Sequence, residues 1–273
     1  MKKIIAFVMA TLMIVGCVAA FASCGSNPYE KLAIVDLGLE REYFGIAFRS
    51  GSDMTRKVED ITLQLIKDGK LAELSTKYEV GAVDAATYVP KADPCVGSTD
   101  WAEIQAKGKL VIGITDYKPM DYKDDNGNWV GFDADYARLV CEALGVTAEF
   151  VEIEWDNKLL ELEGKTIDCI WNGMTITDAI ETAADCTAPY MYNTQVAVVK
   201  KNKVDTYKDI ESLAGKKIAA EGGSAGEKVI TDNAALKDGL KAVTAQTDAI
   251  LEVIAGASDA AIVDLTLAKA LIK

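Results

Sequence analysis

Strand-like and helix-like segments alternate along most of this chain, and this alternation limits its fold more than any other feature. Residues 109–115, KLVIGIT, form an apolar run typical of a buried strand. Residues 132–144 follow with apolar side chains at helical spacing, and Gly145 ends the pattern. Further strand-like segments cover 147–154, 166–171, 195–200, 217–220, 240–243 and 260–263, and helix-like segments cover 54–67, 157–164, 209–214, 225–231, 248–255 and 265–273. This order predicts an α/β fold.

The N-terminus has the pattern of a targeting segment. Lys2 and Lys3 precede an uncharged apolar run over residues 4–22, and small residues precede a cysteine. The run is also just long enough to span a bilayer, so a transmembrane anchor is the alternative. The pattern as a whole favours a lipoprotein signal peptide over residues 1–23.

Two cysteines compete for the lipid. Ile14-Val15-Gly16 before Cys17 fits the usual lipobox better by letter. Cys24, in contrast, is followed by a polar tether, and cleavage there leaves no apolar tail on the mature protein. We therefore expect Cys24 to be lipidated, with Cys17 as the alternative and residues 24–28 as the tether. Two or more acyl chains would hold the protein firmly at a membrane surface.

The net charge excludes several kinds of partner. The full chain of 273 residues carries a formal charge of −13. Removing residues 1–23 takes away two lysines and no acidic residue, so the mature charge falls to −15. Such an acidic surface argues against binding of nucleic acid or of anionic lipid headgroups. It suits an extracytoplasmic body that a lipid anchor holds near the membrane.

The residue types leave little room for metal or nucleophilic chemistry. The chain has no histidine, which removes His-based catalytic triads and nearly all ordinary zinc sites. The four remaining cysteines have no CxxC spacing; they are Cys95, Cys141, Cys169 and Cys186. A bridge between Cys169 and Cys186 and a pair of free buried thiols both stay open. We expect no metal, no cofactor and no catalytic residue.

The order of two longer segments carries a family resemblance. Residues 43–80, YFGIAFRSGSDMTRKVEDITLQLIKDGKLAELSTKYEV, resemble the C-terminal strand and helix of the extracellular polar amino-acid-binding proteins of ABC importers, the family 3 solute-binding proteins. Residues 101–139, WAEIQAKGKLVIGITDYKPMDYKDDNGNWVGFDADYARL, resemble the N-terminus of the same family. Residues 32–39 resemble the last strand of its second lobe. The resemblance implies a two-lobed periplasmic-binding-protein fold of type II, circularly permuted, with a ligand cleft between the lobes.

The permuted order sets the expected domains. Lobe 1 is continuous over residues 44–197, and lobe 2 is split between residues 29–43 and 198–273. Residues 81–100 contain Gly, Pro, Ser and Asp without periodicity, so they read as a linker inside lobe 1. This linker joins the old C-terminus of the family to its old N-terminus, which is reasonable because chain termini often lie close together.

Two motifs of lobe 2 are candidates for the two ends of an amino acid. Ser224 and Ala225 open a capping box after a strand and two glycines, where free backbone N–H groups attract an anion. Asp264 ends a strand and, by the resemblance, binds the α-amino group. The alternative roles are structural: Ser224 caps an ordinary helix, and Asp264 caps the helix that starts at Leu265.

Lobe 1 supplies the other candidates. Tyr117 and Trp155 follow strands and match the two aromatic walls of the family, although core packing is the commoner role for tryptophan. By the resemblance, a turn formed by Asn172, Gly173, Met174 and Thr175 presents backbone carbonyls and the Thr175 hydroxyl to the α-groups of the ligand. Ligands of such sheets bind outside the carboxyl ends of the strands.

The chain departs from the family pattern at two positions. Ile180 stands where the family usually has the arginine that clamps the α-carboxylate, and isoleucine cannot replace that bidentate contact. Cys186 stands where a phenylalanine is expected. Three alternatives follow. The ligand is held by the remaining contacts alone, it is held by another cation, or it is not a free α-amino acid.

The resemblance implies a lipid-anchored extracytoplasmic binding protein, not an enzyme. It acts as a monomer that captures a small amino-acid-like ligand and delivers it to an ABC permease in the membrane. One alternative is a dehydratase-like enzyme of the same fold, for which Glu221 at a strand end is the acid or base to examine. The other is a sensory binding protein that signals through a membrane receptor.

Overall fold

The computed structural model describes residues 27–82, 86–91 and 97–273. The expected signal segment and Cys17, Cys24 and Cys95 lie outside these residues. None of the helices within the described part has both the length and the apolar character needed to cross a bilayer.

The regular elements alternate as the sequence predicts. In the described residues the strands are β1 (Leu32–Asp36), β2 (Glu42–Arg49), β3 (Lys109–Ile114), β4 (Tyr122–Lys123), β5 (Trp129–Val130), β6 (Thr147–Glu152), β7 (Cys169–Thr175), β8 (Ala184–Cys186), β9 (Met191–Asn193), β10 (Gln195–Lys200), β11 (Ile218–Glu221), β12 (Leu240–Val243) and β13 (Ala260–Asp264). The α-helices are α1 (Met54–Lys67), α2 (Lys70–Tyr78), α3 (Asp100–Lys107), α4 (Phe132–Leu144), α5 (Lys158–Glu163), α6 (Asp178–Ala183), α7 (Ala225–Thr231), α8 (Gln246–Ala255) and α9 (Leu265–Leu271).

The strands form two larger sheets and one short hairpin. The first sheet has the order β1-β10-β13-β11-β12, in which β11 runs parallel to β12 and β13 while β10 is antiparallel to its neighbours. The second has the order β6-β3-β7-β2-β8, with β9 also paired to β2. In this sheet β3 is parallel to β6 and β7, whereas β2 is antiparallel to β7. The hairpin is β4-β5.

The chain changes sheet twice. It leaves the first sheet between β1 and β2, over residues 37–41, and returns at Thr194, between β9 and β10. Because β10 lies wholly in the first sheet, this return comes three residues before the border predicted at 197. β1 lies in the same sheet as β11.

Two predicted segments differ from the structure. Residues 172–175 do not form a turn, since β7 continues through Thr175, although its pairing with β2 shifts register here and Gly173 has φ +55°. Residues 209–214 contain only a short 3₁₀ helix, Glu211–Leu213. In the predicted linker Tyr88 is buried, and the backbone N–H of Lys91 donates to Glu59 Oε1 at 3.0 Å. This part of the linker therefore packs on the second sheet's α1.

Candidate functional site

A cavity of about 340 Å³ lies between the two sheets at the carboxyl ends of β7, β11 and β13. Both sheets contribute to its wall. Trp155, Asn172, Gly173, Thr175 and Ile180 come from the side of the second sheet, and Glu221, Ser224, Ala225, Gln246 and Asp264 come from the side of the first sheet. The structure therefore brings together all of the predicted ligand residues except Tyr117.

The capping box of Ser224 forms. Ser224 Oγ accepts a hydrogen bond from the backbone N–H of Glu227 at 3.1 Å, and Glu227 Oε2 accepts one from the backbone N–H of Gly223 at 2.8 Å. The ordinary role as a helix cap is thus present. The Ser224 hydroxyl keeps its own proton for donation, since it is the acceptor in this bond.

Asp264 is held in place by three side-chain amides. Its Oδ1 accepts hydrogen bonds from Asn193 Nδ2 and from Gln195 Nε2, the latter at 2.5 Å, and its Oδ2 accepts one from Gln246 Nε2 at 2.6 Å. The side chain makes no capping bond to α9, so the alternative role as a helix cap is absent. Burial raises the pKa of Asp264, and the hydrogen bonds from Gln246 and Gln195 act in the opposite direction. The carboxylate is fixed at the base of the cavity.

Glu42 is a partner of Asp264 that was not among the residues predicted from the sequence. Glu42 Oε1 accepts hydrogen bonds at 2.6 Å from the same two amides, Asn193 Nδ2 and Gln195 Nε2. Burial and the negative charge of Asp264 raise the pKa of Glu42 to about 7. Glu42 is the first residue of β2, and Gln195, which binds both Glu42 and Asp264, is the first residue of β10. The carboxyl groups of Glu42 and Asp264 therefore lie where the chain changes sheet.

The wall from β7 depends on close packing at Gly173. Its backbone N–H donates to Asp133 Oδ2 at 2.6 Å, and a Cβ atom at this position would lie 2.6 Å from Tyr117 Cε1. Next to it, Asn172 Nδ2 donates to Thr115 Oγ1 at 2.8 Å, while the buried Asn172 Oδ1 accepts no hydrogen bond from the described residues. An unpaired carbonyl at a cavity wall is available to a ligand donor.

The two aromatic candidates have different positions. Trp155 lines the cavity, is 7% exposed and packs among apolar side chains. Tyr117 is only 2% exposed, lies behind Gly173 in the main core, and does not line the cavity in this conformation. Burial, with the nearby charge of Asp264, raises the pKa of Tyr117 well above its usual value.

Ile180 leaves one end of the cavity apolar. The side chain is 6% exposed and packs in the cluster that also contains Trp155, Met174 and Cys186. Lys158 stands on the same side of the cavity, where the sequence placed only a helix. Its Nζ donates to the backbone carbonyl of Trp155 at 3.1 Å and, across the cavity, to that of Gly223 at 2.8 Å.

Glu221 is nearly enclosed at the end of β11. It is 2% exposed, and its Oε1 has no hydrogen-bond partner among the described residues. Burial, followed by the charge of Asp264, raises the pKa of Glu221 to about 8, against the effect of Lys158. The side chain therefore carries its proton at neutral pH.

The described cysteines take no part in this site as disulfides. Cys141, Cys169 and Cys186 are free and buried, so the alternative of a bridge between Cys169 and Cys186 is not realised. Burial raises the pKa of Cys186 to about 12, which makes its thiol inert at neutral pH.

Known proteins of one family are similar to this chain. The family model described as bacterial extracellular solute-binding proteins, family 3, matches residues 110–271. The L-cystine-binding protein TcyJ of Escherichia coli K12 is 31% identical over 132 residues, which are 48% of this chain and 50% of that protein. The L-arginine-binding protein of Pseudomonas aeruginosa is 32% identical over 156 residues, 56% of this chain and 60% of that protein. The chain thus spans about half the length of the curated relatives it matches.

Two solved structures extend the comparison. The arginine-bound form of truncated ArgBP from T. maritima has a TM-score of 0.60 and 34% identity, covering 63% of this chain and 80% of that one. The ancestral amino acid-binding protein AncCDT-1, a precursor of cyclohexadienyl dehydratase, has a TM-score of 0.58 and 34% identity, covering 61% of this chain and 74% of that one.

Proposed function

The chain belongs to the bacterial extracellular solute-binding proteins of family 3, and we propose that it captures a small amino-acid-like ligand between its two sheets for an ABC importer. One observation carries the proposal. Predicted ligand residues that are far apart in sequence meet around one cavity with walls from both sheets. Cavities of this size, with a few fixed polar groups, are typical of small-molecule sites.

Capture in such a fold works by closure of two lobes. The proposed lobes are residues 44–197 and residues 29–43 with 198–273. Only two connections join the two sheets in the described chain, residues 37–41 and Thr194, and these would serve as the hinge. The bond from Lys158 Nζ to the Gly223 carbonyl crosses the cavity, as expected for walls that meet on closure.

The proposed contacts follow the geometry of the cavity. Asp264 binds the ammonium group, because its fixed carboxylate lies at the base of the cavity. Asn172, Gly173 and Thr175 bind the remaining α-groups on one wall, and Ser224 and Ala225 bind on the other. Trp155 packs against the ligand side chain, and Tyr117 reaches it only if the Gly173 region moves.

The relatives named for L-cystine and L-arginine support a polar α-amino acid as the ligand. A protein with this role is extracytoplasmic. We propose that Cys24 carries the lipid anchor, with Cys17 as the alternative. Circular permutation is part of the proposal: β1, from the start of the described chain, completes the sheet that contains β11 and β13.

Ligand-dependent thermal unfolding tests the function. The purified protein is heated with each of the twenty amino acids, L-cystine, their carboxamides and simple amines. A ligand at one hundred times its dissociation constant adds about 2.7 kcal/mol to the unfolding free energy, or about 5–10 °C for a chain this size. A selective shift with one class supports the proposal, and Trp155→Ala should reduce that shift. No shift with any amino acid, carboxamide or amine contradicts it.

An enzyme of this fold is the rival function. Glu221 is the observation in its favour, because a buried carboxyl group with a pKa of about 8 could donate a proton. The relatives compared above carry the names of binding proteins, which supports the binding function instead. Recovery of the bound ligand unchanged after long incubation separates the two, since an enzyme would convert it.

A further inference from the structure

Lys158 is a buried cation without a counter-charge. The residue is 7% exposed. Of the two lysines on the cavity wall in the described residues, Lys228 pairs with Asp232 at 2.5 Å, whereas Lys158 forms no ion pair. Burying an ammonium group is costly unless an anion lies beside it. An unpaired lysine at a ligand cavity therefore needs an explanation.

The neighbouring acids do not supply this charge. Glu221, Asp156 and Glu227 are close enough to act on Lys158 electrostatically, but none is paired with it. Glu227 Oε2 is already bound by the backbone N–H of Gly223, and Asp156 is exposed to solvent. Glu221 forms no ion pair with Lys158, and burial, which raises its pKa to about 8, disfavours its negative charge.

The hydrogen bonds of Lys158 leave one N–H free. An ammonium group has three donors, and the carbonyls of Trp155 and Gly223 take two of them. These carbonyls lie on opposite walls, so they fix Nζ between the walls, at the residue that precedes Ser224. The Lys158 Nζ also lies 4.8 Å from the centroid of the Trp155 ring, which restricts it further.

We propose that Lys158 binds the carboxylate of the ligand and supplies the positive charge that Ile180, on the same wall of the cavity, cannot supply. This inference rests on the proposed function. The ligand then spans the cavity, with its ammonium group at Asp264 and its carboxylate between Lys158 and the Ser224 hydroxyl. The ligand supplies the missing negative charge, and Lys158 acts as a specificity determinant for acids over amides.

The test compares each amino acid with its own carboxamide, which keeps the ammonium group and the side chain but lacks the carboxylate. The twenty amino acids and L-cystine are first ranked by their affinity for the wild-type protein. Isothermal titration then uses the compound that binds most tightly, together with its carboxamide. We expect wild-type protein to prefer the acid by about 10–100-fold. Lys158→Gln keeps a hydrogen-bond donor but loses the charge, so it should abolish this preference and leave carboxamide affinity within a few-fold.

Two further variants separate charge from structure. Lys228→Gln is the matched control, since its exposed lysine is already paired with Asp232, and it should keep the wild-type preference. Ile180→Arg added to Lys158→Gln should restore the preference, because it returns a cation to the same end of the cavity. If Lys158→Gln does not fold, Lys158→Arg gives the test: it should keep the preference, and its loss there overturns the proposal.

The outcomes distinguish the two levels of inference. An unchanged acid preference in folded Lys158→Gln overturns the role of Lys158 while capture of amino acids stands. Wild-type binding of amines and carboxamides but not of acids also overturns it, and leaves a binding protein for a different class. Binding of none of these compounds to the wild-type protein overturns both proposals.

Discussion

The two ends of the cavity are built by opposite means. At one end three amides fix Asp264, and two of them also bind Glu42, so every donor has an acidic acceptor. On the wall from the second sheet, Ile180 adds no charge, and Lys158 forms no ion pair with any described residue. The hydrogen-bond network holds the Asp264 carboxylate in position without help from the ligand. The charge of Lys158, in contrast, gains an ionic partner only when the ligand binds. The Asp264 end should therefore be rigid before binding, and the Lys158 end should gain most from it.

The largest effect is expected at the rigid end. In Asp264→Asn an amide NH₂ would face the amide donors of Gln195 or Gln246, and the negative charge for the ligand ammonium would be lost. We expect affinity to fall by about 100-fold and the unfolding free energy by about 1–3 kcal/mol. Titration calorimetry and urea unfolding measure the two effects. Asp156→Asn, the same change at an exposed acid of the same cavity, is the control, and equal losses in both variants would contradict the role of Asp264.

A gain of function is expected at the apolar end. Ile180→Arg adds a second cation to the cavity wall that holds Lys158, and we expect it to increase the preference for an acid over its carboxamide by about tenfold. Arginine is larger than isoleucine at this buried position, so part of the gain is offset by repacking. Ile180→Met, which adds length without charge, controls for that cost. An unchanged acid preference in Ile180→Arg would place the carboxylate elsewhere in the cavity.

A smaller effect on ligand affinity is expected from a change that hinders closure of the two cavity walls. This effect should be the same for acids and carboxamides. A Cβ atom on Gly223 would lie 2.8 Å from Asp156 Cα on the opposite wall, and Gly223 has φ +69°. Gly223→Ala should weaken acids and carboxamides equally, by about tenfold, because every ligand requires the walls to meet. Gly222→Ala is a matched control, since its Cβ would meet no atom closer than 3.9 Å. A selective loss of acids alone would show that Gly223 acts on the carboxylate and not on closure.

Elements with strong periodicity could be predicted from the sequence to the residue. The ranges of α4, α7 and β12 are those that the apolar spacing and the flanking glycines indicate. Residues 172–175 were predicted wrongly as a turn, because that prediction came from the family resemblance and not from the apolar pattern of the segment. Here the packing of Tyr117 against Gly173 and the bond to Asp133 hold the segment in β7. Tertiary contacts decided this segment against its local preference.

The residues of the candidate site also divide into those that could be predicted from the sequence and those that could not. Residues at strand ends, such as Asp264 and Trp155, could be found because chain order locates the carboxyl edge of a sheet. Glu42 and Lys158 could not, since their roles depend on partners far away in sequence, Gln195 and Gly223. No periodicity or motif signals a contact across two sheets.

The smallest effect concerns the pH dependence of the rigid end. Glu42 has a pKa of about 7 in the folded protein, above the value of 4.5 for an unperturbed glutamate, because burial and Asp264 disfavour its charge. The folded state then binds this proton more tightly than the unfolded chain does. Stability from this group is present below about pH 4.5 and is lost as the pH rises through about 7. Asp264 and Glu221, whose pKa values are also raised, act with the same sign.

Glu42→Gln removes one of these groups while keeping a hydrogen-bonding side chain. The decrease in unfolding free energy between pH 4.5 and pH 7, measured by urea unfolding, should therefore be less steep in this variant than in wild-type protein. Glu40→Gln, at an exposed glutamate two residues earlier, should leave the slope unchanged. If Glu42→Gln had the wild-type slope, Glu42 would be charged in the folded protein at neutral pH, and the amides would be stabilising two carboxylates. The rigid end would then hold two negative charges ready for the ligand ammonium, which would sharpen its contrast with the single lysine opposite.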